Sequence, residues 1–145
     1  MKYILIIVPV LVIVFGIFLF LRGQNTMKTI KIKNQQFQVD VVNLQADIEK
    51  GLSGQENMAE NEGMLFQFSD LDFRTFWMKD MFFDLDILFI SDNVIREIIT
   101  LQKPTGNYIP LHRSKKKVDY VLELNSGVCE KYGIKVGDAM VIGNE

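Results

Sequence analysis

The chain has 145 residues, room for one domain of usual size but hardly for two, which excludes an array of catalytic domains. Its formal charge of −2 offers no strongly basic face, so no nucleic-acid partner is expected. With one cysteine, Cys129, and one histidine, His112, neither an internal disulfide nor a four-ligand Cys/His zinc site can form.

No residue from Tyr3 to Leu21 is charged. As a helix this stretch would span about 28 Å, close to the roughly 30 Å hydrocarbon layer of a bilayer. Residues 1–22 are therefore expected to be a transmembrane signal anchor, with membrane contact through residues 3–21. A cleaved signal peptide is the rival, but its apolar region is usually about 7 to 15 residues and ends in a small-x-small site. Here Phe18-Leu19-Phe20-Leu21 runs straight into Arg22. Lys2 set against Arg22, Lys28, Lys31 and Lys33 would keep the domain in the cytoplasm, yet long translocated domains largely escape that rule, so the residues leave the side open.

Residues 23–27 form a short polar tether, and residues 28–145 the domain. Ile30, Ile32, Phe37, Val39 and Val41 alternate with polar neighbours around Asn34-Gln35-Gln36, which predicts a β-hairpin. Residues 47–52 allow a turn or two of helix, followed by a polar loop with Glu56, Asn57, Glu60, Asn61 and Glu62. Further strands are predicted over 64–68, 74–78, 85–90, 94–101, 118–124 and 139–142. A second short helix is expected over 127–132, with Asn125 or Ser126 as its cap and Gly133 in the left-handed position beyond its end. Eight short strands and two small helices indicate a mainly β domain, a compact antiparallel sandwich or barrel.

Residues 73–83 concentrate aromatic and large apolar side chains around Lys79 and Asp80, more than one strand face can bury. They suit either a sandwich core or a groove for a small polar ligand, a glycan or an extended peptide. Asp80, Asp84 and Asp86 invite a hard-cation site, but their spacing lacks the alternating ligands and turn glycine of a calcium loop, and no metal is assigned. His112 heads the basic run Arg113 to Lys117, expected as a solvated loop or, should it face lipid, a contact for anionic headgroups. Cys129 is expected to be a buried structural thiol. No nucleophile elbow, phosphate loop or paired-histidine motif is present, and no cofactor is implied.

Six motifs occur in a characteristic order: Gly51-Leu52-Ser53-Gly54, Glu62 to Phe68, Phe76-Trp77-Met78-Lys79-Asp80, Leu85 to Ile90, Tyr120 to Gly127, and Gly133-Ile134-Lys135-Val136-Gly137-Asp138. Over residues 28–142 the chain thereby resembles the domain of unknown function 192 family. The resemblance implies a compact, jelly-roll-like or barrel-like β domain, commonly carried behind a signal or anchor in prokaryotes, with no established activity. Relatives often carry Asn at position 80 and Pro at position 84, so the aspartates there are particular to this chain, and many have two cysteines in the loop spanning residues 103–108, which this chain lacks. It also favours an extracytoplasmic domain and marks Trp77, Met78, Lys79, Asp86 and Glu123 as the candidate ligand-binding positions. Lys79 and Asp86 could pair across adjacent strands. The leading expectation is a non-catalytic module that binds an envelope component or small polar ligand around Trp77, Lys79 and Asp86. One alternative is a hydrolase-like or other enzyme drawing acid and base from Lys79, Asp86 and Glu123, which requires their convergence in one pocket. The other is an assembly partner acting through a sheet edge.

Overall fold

The computed structural model describes residues 26–143, so the expected anchor and most of the tether lie outside the described residues. Among the described residues no helix is long and apolar enough to cross a membrane. The elements in chain order are β1 (Thr26–Ile32), β2 (Gln35–Val42), α1 (Gln45–Lys50), β3 (Glu62–Asp72), β4 (Thr75–Trp77), β5 (Leu85–Ser91), β6 (Val94–Leu101), β7 (Leu111–Arg113), β8 (Val118–Asn125), α2 (Val128–Tyr132) and β9 (Met140–Ile142).

Seven strands form one sheet in the order β6-β5-β8-β3-β2-β1-β9, and β4 pairs with β7 in a separate ribbon. The predicted hairpin is β1–β2, with Ile30 opposite Phe37 and Lys33 at a positive φ of 55° in the turn. The sheet is not purely antiparallel, however: β2 and β3 run parallel, from Gln38 opposite Glu62 to Val42 opposite Phe66. A parallel neighbour needs a crossover, and α1 with the loop after it provides one.

The sheet curls into a half-barrel whose two outer strands meet at one end. Val94 bridges Ala139, the Ile95 N–H donates to the Asp138 carbonyl at 3.0 Å, and the Met140 N–H donates to the Asn93 carbonyl at 2.8 Å. Inside the curl lie Ile30, Ile32, Phe37, Val39, Leu65, Leu88, Ile90, Leu122 and Leu124, packed on Val128, Cys129 and Ile134 from the α2 region. On the outer side, Met64, Phe66, Leu85, Ile87, Phe89 and Val121 are covered by Phe76, Met78 and Met81. Both faces are therefore buried, which explains why every residue of β5 is buried.

Two local expectations are corrected. Leu111–Arg113, expected in a loop, is strand β7, because backbone pairing with β4 places Phe76 opposite His112 and Trp77 opposite Leu111. Neither Asn125 nor Ser126 caps α2: Gly127, at a φ of 87°, is the cap residue and makes no side-chain cap bond. Asp86 of β5 instead accepts the Cys129 N–H at 3.0 Å. Gly133 does hold the left-handed position at the helix end, with φ 62°.

Candidate functional site

Strand alternation in the β4–β7 ribbon sorts its side chains between core and surface. Phe76 points inward, its ring 4.8 Å from that of Phe66 and 6.1 Å from that of Phe89, while Trp77 stands outward and is 55% exposed. Leu111, opposite Trp77, is also exposed. Met78 is fully buried and donates its N–H to the Pro110 carbonyl at 2.9 Å, so it is a core residue rather than a ligand contact. Lys79 is exposed, with its ammonium 5.5 Å from the centre of the Trp77 ring. Its carbonyl accepts the Ser53 hydroxyl at 2.9 Å, and the Asp80 carbonyl accepts the Gly54 N–H at 2.9 Å. These bonds join the turn after Trp77 to the loop after α1.

Two hollows share Trp77 as a wall. The larger, about 420 Å³, is an open groove bounded by Ile48, Phe68, Phe73, Arg74, Trp77 and Leu111. The smaller, about 30 Å³, has Ile48, Glu49, Phe76 and Trp77 in common with the groove and adds Leu52, Phe66, Met81 and Glu123. Glu123 sits on β8 between Met64 of β3 and Ile87 of β5. It is 5% exposed and has no hydrogen-bond or ion-pair partner among the described residues. Burial alone pushes its carboxyl up to about 8, since a charge there would lose hydration without gaining a partner.

Asp86 belongs to the other face. It lies opposite Leu124 in the β5–β8 register, whereas Glu123 lies opposite Ile87, and successive residues of a strand point to opposite sides. Its carboxylate accepts the Thr100 hydroxyl at 2.8 Å and the Cys129 N–H at 3.0 Å. The expected Lys79–Asp86 pair is thus not made, and Lys79, Asp86 and Glu123 do not converge on one pocket. Cys129 is buried as expected, and burial together with the Asp86 carboxylate raises its thiol to about 12. The aspartate trio is dispersed too: Asp84 accepts the Lys103 N–H at 2.8 Å, while Asp80 occupies a turn at φ 58°.

The sequence reading missed one polar cluster. Glu97 of β6, almost buried, receives the Lys115 N–H at 2.8 Å and lies 2.8 Å from His112 Nε2. This pins the ribbon to the main sheet and removes His112 from the solvated run in which it was expected. Glu97 shares the outer face of β6 with Ile99, whereas Ile95, across the bulge between Phe89 and Ile90, packs inside the curl; nothing local in the sequence identifies His112 as the partner of Glu97. Arg113 lies 5.2 Å from the Phe73 ring centre, and Lys115, Lys116 and Lys117 remain exposed. From Arg96 onward, β6 pairs with β5 alone among the described residues, leaving a short stretch of sheet edge.

A protein from Sinorhizobium meliloti 1021, described as a candidate transcription regulator, has a crystal structure similar to this one at 30% identity and a TM-score of 0.75, covering 81% of this chain and 95% of that one. A protein of unknown function from Novosphingobium aromaticivorans DSM 12444 is similar at 25% identity and a TM-score of 0.70, covering 78% of this chain and 83% of that one. No curated protein matches the chain. Residues 27–142 match the family profile described as "Uncharacterized ACR", and this chain therefore belongs to the domain of unknown function 192 family, DUF192.

Proposed function

We propose that the chain is a membrane-tethered, non-catalytic binding module that takes an envelope component or a small polar ligand in the groove beside Trp77. The observation that carries this reading is Trp77 itself. A large aromatic residue left 55% exposed, with a lysine over its ring and an open groove of about 420 Å³ at its side, has the form of a contact surface rather than of core. Leu111 and Phe73 extend the apolar surface, while Arg74 and Lys79 offer donors that would orient a ligand. Asp86 has no place in this surface. The tether rests on the uncharged stretch from Tyr3 to Leu21, and an extracytoplasmic domain suits an envelope ligand.

Because Trp77 is the single tryptophan, its fluorescence reports on the groove without interference. Titration with envelope glycans and peptides is expected to give a saturable change that weakens in Lys79→Ala. A flat response to every such fraction would overturn the binding role. Protease added to intact cells tests the location: digestion from outside supports it, and protection that persists until the cells are lysed reverses it.

A further inference from the structure

We propose that the chamber at Glu123 seats a primary ammonium group, the cationic head of a ligand whose body lies along Trp77 in the adjoining groove. This deepens the binding-module reading and rests on it. At about 30 Å³ the chamber exceeds the roughly 10 to 15 Å³ that one water needs, so it has room for an ammonium head. Leu52, Phe66, Phe76, Met81 and Trp77 form its apolar and aromatic walls, while Glu49, Lys50, Ser53 and Glu123 make the rest of the lining polar. Glu123 lines it with a carboxyl group that is 95% buried and has no partner among the described residues.

The complement of that carboxyl follows from charge. A carboxylate or phosphate would bring like charge to a desolvated acid. A hydroxyl would make a neutral hydrogen bond, whereas an ammonium makes a charge-assisted bond roughly twice as strong and also gains from the aromatic rings in the wall. Two other charged residues line the chamber, Glu49 and Lys50 of α1, both exposed and opposite in sign. Lys79 lies over Trp77 in solvent, where its repulsion is screened, while contact inside the chamber is not. The segment from Asp40 to Asp92, which supplies every wall residue except Glu123, carries 12 acidic residues against Lys50, Arg74 and Lys79.

Proton balance provides a second signature. With its acidity displaced to about 8 by burial, Glu123 is mostly protonated at neutral pH while the chamber is free of cation. An entering alkylammonium keeps its three protons, the Glu123 O–H proton passes to solvent, and a carboxylate–ammonium pair remains. Binding near neutral pH therefore releases up to one proton.

The test titrates the full-length protein with n-butylammonium chloride, using n-butanol and sodium butyrate as uncharged and anionic controls. Expected are a saturable change in Trp77 fluorescence with butylammonium, release of up to one proton in weakly buffered solution, and binding at least about tenfold weaker for butanol and for Glu123→Gln. Carbon NMR of the Glu123 carboxyl, which needs no variant, should show its titration midpoint moving down when butylammonium is present. A midpoint that does not move, equal binding of butanol, or undiminished binding by a folded Glu123→Gln would each overturn the proposal. If envelope fractions still perturb Trp77 equally in wild type and Glu123→Gln, the ammonium seat fails and the groove stands; if they perturb neither protein, both readings fail.

Discussion

Glu123 owes its weakened acidity to burial rather than to a neighbouring charge, and this makes it a cost to folding that depends on pH. The native protein keeps this proton up to about pH 8, whereas an unfolded glutamate releases it near 4.5, so the unfolded state gains as pH rises between those values. The contribution to stability is most favourable below 4.5, declines through the interval and levels off above 8, a difference on the order of 4 kcal/mol. Glu123→Gln cannot ionise and removes this slope. Denaturant titrations should find variant and wild type similar near about pH 4, with the variant more stable by on the order of 4 kcal/mol near about pH 9. Equal stabilities at both pH values would mean that the carboxyl is hydrated in solution. Asp86 is the opposite case, a buried carboxylate with donors on both oxygens. Asp86→Ala leaves the Cys129 N–H and the Thr100 hydroxyl without that acceptor and should cost about 2 to 4 kcal/mol in urea unfolding, with ligand response at Trp77 unchanged in the folded variant. Loss of that response without loss of stability would return Asp86 to the binding surface.

At the scale of elements, the pairing of β3 with β8 sets where Glu123 stands, and one glycine permits that pairing. A Cβ on Gly63 would fall 2.7 Å from the Glu123 carbonyl oxygen and 2.8 Å from Leu124 Cδ2, so an alanine must push the two strands apart. Gly63→Ala should destabilise by about 1 to 3 kcal/mol, read as a lowered melting temperature, and should disturb the Trp77 spectrum through the shared chamber. Unchanged stability would show that β8 can shift there without penalty. The hairpin, β6, β8 and α2 are legible in the sequence because alternation and turn residues mark each of them locally. The far end of β3 is not, because Ser69 to Asp72 are polar or exposed and read as a turn. Leu111-His112-Arg113 has no strand signature of its own and becomes one only through β4. The parallel pairing of β2 with β3 is non-local and leaves no mark in either segment. Trp77 and Glu123, which the motifs around them mark in the sequence, both line the hollows beside the ribbon. Asp86 was misplaced because β5 is buried on both faces, so the alternation that would have separated its two sides is absent.

For the molecule as a whole, the curl of the sheet raises the question of how its two outer strands are held together. Among the described residues they meet where Asn93 to Ile95 contact Gly137 to Met140, and this seam depends on the turn ending at Asp138. The Asp138 carboxylate accepts the Lys135 N–H at 2.7 Å and pairs with Lys33 at 3.3 Å, linking the β1–β2 turn to the seam. The Lys135 N–H first, and the Lys33 ammonium after it, hold the Asp138 carboxyl below its ordinary value of 3.8. A depressed carboxylate contributes stability that is present above the unfolded value and is lost as pH falls through the folded one. Acidification well below pH 3.8, or Asp138→Ala at neutral pH, should therefore loosen the seam before the rest of the barrel. The measurement is amide hydrogen exchange, corrected for the intrinsic effect of pH. The Ile95 and Met140 amides, which bond across the seam, should lose protection, while those of Leu65 and Leu122 in the paired strands β3 and β8 keep theirs. If all four lose protection together, the half-barrel opens as one cooperative unit and the seam has no separate stability.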